Sequence, residues 1–368
     1  MNPKLNTLPL AVFATSGPLK PLVIAGPCSA ETREQLLSTA RALSEIDGIH
    51  ILRAGIWKPR TRPNSFEGVG EIGLKWLQEV KAETGLLSAV EVAKPAHVEL
   101  CLKHGIDILW IGARSTANPF TIQELALALK GVDIPVLVKN PVNPDVELWI
   151  GALERLNKSG VKRMGVIFRG VFPYEKTHLR NLPRWEMAIE IMRLFPDLTV
   201  LCDPSHIAGK KEYVFEIAQR AIDLNFHGLM IESHINPATA LSDAAQQLTP
   251  LELKGLLQNL KFRTATSQNP EFVSSLEQCR EKINSIDFQV LELLGRRMGL
   301  VKEIAEYKRR NNVTILQLRR WEDIINTRLA FGHNRGLPDA FIKQLFEMIH
   351  KEAIQLQTEL MNKPGNGS

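Results

Sequence analysis

The sequence predicts an α/β TIM-type (β/α)₈ barrel followed by a second, all-α domain of three helices. Two observations carry the first part and one the second. Between residues 20 and 245 eight short apolar runs recur, their starts 22 to 36 residues apart and separated by helix-compatible stretches. Residues capable of chemistry stand at or just past the end of each run, where a barrel of this kind keeps its site. Beyond residue 262 the short runs give way to a 3-4 apolar spacing sustained over about 30 residues, the mark of a long helix with one packing seam.

The runs are LVIAGPC from residue 22, HILRAGIW from 50, LLSAVEV from 86, ILWIGAR from 108, VLVKN from 136, MGVIFRG from 164, TVLCDPSH from 199 and GLMIES from 228. TREQLLSTARALSEI and PAHVELCLKHG are two of the intervening helical stretches. RTATSQNP, polar and containing Pro, reads as a linker. Leu276, Cys279, Ile283, Ile286, Val290, Leu293, Leu300, Ile304 and Tyr307 then mark the seam of the long helix. WEDIINTRLAF and PDAFIKQLFEMIHKEAIQLQTEL form two more amphipathic helices, and KPGNGS a frayed tail. The expected division is a barrel over residues 1–262, a linker over 263–271, a helical domain over 272–362 and a tail over 363–368.

Composition narrows the function. A hydrophobic content of 44% and a charged content of 23% are those of an ordinary globular protein rather than a disordered or fibrous one. The net charge of +5 is scattered, which favours small anionic ligands over nucleic acid. No apolar stretch approaches the roughly 18 to 20 residues of a bilayer span, and LPLAVFA near the N-terminus lacks a cleavage site, so a cytoplasmic protein is expected. The four cysteines lie far apart with no CxxC, which argues against a disulfide framework or a zinc ribbon.

Cys28, Arg53, Glu91, Arg114, Lys139, Arg169, His206 and Glu232 each follow one of the eight runs. Cysteine, histidine and carboxylate together make a mixed ligand set for a divalent transition metal. Cys28, His206 and Glu232 supply it, with Asp243 in ALSDAA able to complete it, whereas Cys202 lies inside its run and is expected to pack. Arg53, Lys58, Arg60, Arg114, Lys139 and Arg169 around one mouth repel one another unless a ligand brings several negative charges, such as phosphates and a carboxylate.

In the helical domain Arg297 falls on the apolar stripe, seven residues after Val290 and seven before Ile304. A charge there costs several kcal/mol unless paired. Either the charged end of Arg297 snorkels to water or a ligand anion arrives, and Lys308 and Arg280 beside the same stripe favour the ligand. At about 1.5 Å per residue Arg280 and Lys308 lie roughly 42 Å apart. Arg280 therefore serves such a site only from a partner chain running antiparallel, which predicts an intertwined homodimer.

Taken in order, GPCSAE, RAGIWKPRT, GAR, KN, FRG, DPSH, ESH and LSD resemble type I 3-deoxy-D-arabino-heptulosonate 7-phosphate (DAHP) synthases of the short, beta-subgroup form, over roughly residues 20 to 262. The resemblance implies that Cys28, His206, Glu232 and Asp243 bind a divalent metal such as Mn, Co, Fe or Zn. It also implies that Arg53, Lys58, Arg114, Lys139 and Arg169 hold phosphoenolpyruvate, and that Arg60 and Thr61 hold the phosphate of erythrose 4-phosphate. The related 3-deoxy-D-manno-octulosonate 8-phosphate synthases share the barrel but take a five-carbon sugar phosphate. KPRT at 58–61 favours the four-carbon substrate, although Arg62 stands where many short-form members have Ser.

LEQCREKINSIDFQVLELLGRRMGLVKEIAEYK and LFEMIHKEAIQLQ are similar to the all-helical chorismate mutases over about residues 272 to 360. That likeness implies that Arg280 of the other chain and Arg297 bind the carboxylates of chorismate, Lys308 and Gln357 reach its ether oxygen, and Arg320 helps to hold it. Trp321 stands where the family often has a Glu that contacts the chorismate hydroxyl, and Ala353 where some members have Ser. The expectation is a bifunctional enzyme that forms DAHP and converts chorismate to prephenate, with either of the last two ligands restraining the barrel through the helical domain. The rival is a barrel whose helical domain only dimerises and senses a ligand.

Overall fold

The computed structural model describes residues 4–8, 10, 21–58, 65–174, 177–263 and 266–362. The chain divides into two compact units, Met1–Ala265 and Thr266–Ser368. In the first, eight parallel strands close into a barrel in sequence order: β1 (Leu22–Gly26), β2 (Ile49–Ala54), β3 (Leu87–Val92), β4 (Ile108–Ile111), β5 (Val136–Lys139), β6 (Met164–Phe168), β7 (Thr199–Cys202) and β8 (Gly228–Glu232). β8 pairs back on β1, Glu232 opposite Gly26. Each apolar run of the sequence holds one strand, as the barrel expectation requires.

The strands read as near-continuous Val, Ile and Leu because both their faces are buried. Ile24, Ile51, Ile108, Trp110, Leu137 and Ile167 belong to the core cluster that fills the barrel, while Val23, Leu52, Val90, Leu109, Val138 and Val166 pack with the surrounding helices. Side chains alternate along a strand, so an inward residue recurs every second position. Arg53, Glu91, Lys139, Arg169, Asp203 and Glu232 each stand two residues beyond an inward apolar residue: Ile51, Ala89, Leu137, Ile167, Leu201 and Met230. One period thus builds the greasy interior and crowns it with charge. At the end of β1 a Cβ on Gly26 would lie 2.2 Å from the Arg53 carbonyl oxygen, so only glycine lets the two strands approach there.

The second unit consists of a long helix (Pro270–Arg310), a middle helix (Leu318–His333) and a last helix (Asp339–Met361). Asn269 caps the first, its side chain accepting from the backbone N–H groups of Glu271 and Phe272, and Pro270 occupies the first turn. The long and middle helices both pack on the last. The seam expected along the long helix is largely uncovered within the single chain: Ile283, Ile286, Val290, Leu293 and Ile304 are 46–60% exposed, and only Val301 and Ala305 of this helix are buried.

Candidate metal centre and anion sites

At the barrel mouth the structure gathers donors from distant parts of the chain. One ligand atom each from Cys28, Glu232 and Asp243 lies within 4.8 Å of the others. Cys28 Sγ is 3.3 Å from Asp243 Oδ2, and His206 Nε2 is 3.8 Å from Glu232 Oε1. His206 comes from the short helix Pro204–Ala208, whose first turn Asp203 caps by accepting from the His206 N–H. The same carboxylate, through Oδ2, lies 2.8 Å from His206 Nδ1 and accepts from Lys139 Nζ at 2.6 Å. The carboxylate stands beside Nδ1 without a well-aligned hydrogen bond to it, and Nε2 is the ring nitrogen turned towards Glu232.

Further side chains fix these donors. Glu232 is fully buried, takes a hydrogen bond from Gln246 Nε2 at 2.7 Å through Oε2, and pairs with Arg53 at 3.2 Å through Oε1. Gln247 Oε1 accepts from the Cys28 N–H at 2.9 Å, and Arg180 Nη1 donates to Asp243 at 2.9 Å and Gln246 at 2.7 Å. Burial and the Glu232 charge push the Cys28 thiol up to about 12, with Lys58 opposing them. Burial also lowers the His206 pKa, favouring the neutral ring that coordinates. A soft sulfur and two carboxylates lie close together, with the His206 imidazole beside Glu232 but outside that close group, a donor set that suits a divalent transition metal, whose charge deprotonates a coordinated thiol. Glu232 Oε1 is buried and accepts no well-formed hydrogen bond despite the nearby Arg53, which leaves it a lone pair to offer such an ion.

The cations form the second half of the mouth. Arg53 is buried, its guanidinium carbon 5.1 Å from the Trp110 ring centre, with Nε and Nη1 left without partners. Arg169 donates to Asn181 at 2.7 Å. Burial, with Arg180 and Arg114 adding repulsion against the pull of Asp203, lowers its pKa to about 10. Lys58 donates from Nζ to Cys28 Sγ at 2.9 Å and to the Cys28 carbonyl at 3.0 Å, at the join of the two halves. Arg114 lies on the short helix Ala113–Thr116 after β4. Arg60 and Thr61 fall outside the described residues. A cavity of about 420 Å³ opens beside Asp243, lined by His178, Arg180, Lys210 and Gln246 among others. Asp203, Arg180, Gln246 and Gln247 are site residues that the sequence reading missed. Only Asp203 carried a signal, its position two residues after Leu201.

The helical unit has its own cationic cluster. Arg297 is half-buried with Nη1 unpartnered, and Lys308 Nζ donates to the Ile315 carbonyl. Gln357 is buried, its Nε2 donating to the Ala353 carbonyl at 3.1 Å and its Oε1 unpartnered. Arg280 and Arg320 are exposed and ion-paired at 2.6 Å with Glu277 and Asp323 of their own helices. Among the described residues no helix is long and apolar enough to cross a membrane.

Comparison with known proteins assigns both halves. Residues 13–268 match the family model described as the DAHP synthetase I family, and residues 279–358 that of chorismate mutase type II. A phospho-2-dehydro-3-deoxyheptonate aldolase of Thermotoga maritima is 35% identical over 239 residues, 65% of this chain and 68% of that protein. A 2-dehydro-3-deoxyphosphooctonate aldolase of Helicobacter pylori is 28% identical over 267 residues, covering 66% of this chain and 94% of its own. The crystal structure of the Thermotoga maritima DAHP synthase superposes with a TM-score of 0.59 at 34% identity, over 66% of this chain and 68% of that one.

Proposed function

We propose, since this chain belongs to the DAHP synthetase I family through residues 13–268 and carries a chorismate mutase type II domain over 279–358, that each half performs its own reaction of the shikimate pathway. The barrel joins phosphoenolpyruvate to erythrose 4-phosphate, giving DAHP and phosphate. The helical unit rearranges chorismate to prephenate. The observation that carries the barrel's half is the set of inward-facing strand ends, Arg53, Lys139, Arg169 and Glu232, beside Cys28, His206 and Asp243.

Arg53, Lys58, Arg114, Lys139 and Arg169 bind the carboxylate and phosphate of phosphoenolpyruvate, Arg53 offering the two nitrogens that have no protein partner. Cys28, His206, Glu232 and Asp243 hold a divalent metal, which when bound supplies Lewis-acid polarisation of the sugar aldehyde. Arg60 and Thr61 take the erythrose 4-phosphate phosphate. A bond forms between the methylene carbon of phosphoenolpyruvate and the aldehyde carbon, water adds to the cationic carbon left behind, and its bond to phosphate breaks. The cations supply orientation, holding both reactants in attack geometry.

The second reaction is pericyclic and needs no nucleophile, so oriented charges that favour a compact, polarised transition state suffice. Arg297 and Lys308 provide them, with Arg320. Gln357 reaches the ether oxygen after a rotation of its amide that exchanges the unpartnered oxygen for the nitrogen. Arg280 arrives from a second copy whose docking covers the exposed stripe of the long helix. Chorismate or prephenate bound there restrains the barrel if it prefers one state of the enzyme.

Steady-state assays of the full-length protein test this reading. DAHP formation that a chelator abolishes, chorismate loss that depends on Arg297, and slowing of the first reaction by prephenate are expected. Consumption of arabinose 5-phosphate in place of erythrose 4-phosphate would reassign the barrel to the octulosonate reaction. Chorismate left unconsumed would reduce the helical unit to a dimerising sensor.

A further inference from the structure

Among the described residues of the helical unit, three half-buried or buried side chains present a buried polar atom with no partner: Arg297 Nη1, His350 Nε2 and Gln357 Oε1. Two of them belong to the chorismate reading; His350 does not. It lies on the last helix seven residues before Gln357, two turns away and hence on the same face. Its ring stacks on Trp321 of the middle helix, centroids 4.0 Å apart and planes 15° from parallel. The stack holds the plane of the imidazole against Trp321, and the bare nitrogen lies in that plane.

We propose that His350 contacts the ligand of the helical pocket, its Nε2–H donating to an oxygen of the ring dicarboxylate that Arg297 and Lys308 hold. This rests on the reading of the unit as a chorismate and prephenate site. Three charge relations favour it. Burial first, then Arg297 and Lys308, lower the pKa of His350 and keep the ring neutral. Arg297 in turn feels Arg328, and no carboxylate is among the charges that bear on Arg297, Lys308 or His350. A pocket so one-sided in charge calls for an anion, and a neutral donor within it adds a hydrogen bond without adding to the repulsion between its cations.

The test is calorimetric titration of the full-length protein with prephenate, alongside chorismate kinetics and sedimentation. His350→Phe keeps an aromatic ring against Trp321 and removes the donor; His350→Gln restores a donor. The expected result is prephenate binding weakened about 10- to 100-fold in His350→Phe, with KM for chorismate raised, and most of the loss recovered in His350→Gln. Binding within twofold of the unsubstituted protein in His350→Phe would overturn the proposal. So would equal losses in both variants, which would mark a packing role, or weakened self-association with binding intact, which would place His350 between copies. An Arg297→Ala control separates the premises. If the unsubstituted protein binds prephenate and Arg297→Ala does not, the site reading stands whatever His350 does; if the unsubstituted protein neither binds prephenate nor consumes chorismate, both fall.

Discussion

On the proposed reading the barrel and the helical unit solve the same problem, holding a polyanionic ligand, by opposite routes. In the barrel the charged residues stand against one another across the mouth: Lys139 against Asp203 and Arg53 against Glu232, both pairs buried, and the exposed Arg180 against Asp243. In the helical unit Arg280, Arg297 and Lys308 are strung along one helix and Arg320 stands on the next, Arg280 and Arg320 are ion-paired with carboxylates of their own helices, and much of the apolar stripe of the long helix is exposed. Closing a ring of strands brings eight chain ends to one mouth as soon as the register is set. A helix spreads its residues along a rod at about 1.5 Å per residue, so a bundle must borrow what one rod cannot bring together. On that reading the barrel site draws on one chain and the helical site on two.

The sharpest break of that contrast is subunit mixing. Cys28→Ala should lose metal, measured by elemental analysis, and lower DAHP formation about a thousandfold or more, while the far-ultraviolet spectrum stays unchanged. Mixing and refolding Cys28→Ala with His206→Ala chains should restore nothing, because both residues serve the same chain's centre. A recovery would show that the barrel site is shared after all.

Arg297→Ala comes next, with chorismate turnover reduced about 10²- to 10³-fold, as for removal of one oriented transition-state donor, and DAHP formation retained. Here mixing should succeed. In a twofold dimer Arg297→Ala and Arg280→Ala chains form one doubly damaged and one intact site per mixed dimer, so random pairing should return about a quarter of the turnover. If no activity returns although the chains exchange, Arg280 does not act across the dimer.

How much of this was legible in the sequence follows from the same contrast. All eight strands could be read because strands buried on both faces appear as unbroken Val, Ile and Leu. Arg53, Glu91, Lys139, Arg169 and Glu232 were visible at their ends for the same reason. His206 stood in the reading as the end residue of β7, yet the position in period is Asp203; His206 reaches the mouth through the turn that Pro204 begins. Arg180, Gln246 and Gln247 left no trace, since loops obey no period and their partners lie far away in sequence. In the helical unit the seven-residue spacing exposed Arg297. His350 looks like any residue of an amphipathic helix until Trp321 is found against it.

Asp203→Asn probes that omission with a smaller effect. The amide keeps the shape but loses the charge that orients His206 and pairs Lys139. Metal affinity, followed by competition with a chelator, should fall about 10- to 100-fold, the usual cost of losing a carboxylate behind a ligating histidine. Unchanged affinity would mean that the helix turn alone positions His206, and that the in-period carboxylate serves only Lys139.

The smallest effect tests whether the two units differ in stability as they do in site design. Thr249 and Glu252 form a reciprocal cap on the helix Pro250–Asn259 that follows β8: the Glu252 N–H donates to Thr249 Oγ1 at 3.2 Å, and the Thr249 N–H to Glu252 Oε2 at 2.8 Å. Thr249→Ala removes one half of the box and should cost about 1 kcal/mol, lowering the barrel's unfolding midpoint by roughly 2–4 °C. Because this cap lies within the unit Met1–Ala265, heat-induced loss of chorismate turnover should keep its midpoint while loss of DAHP formation moves. A joint shift would mean that the helical unit draws stability from the barrel, and that its incompleteness is met by its neighbour in the same chain as well as by a second copy.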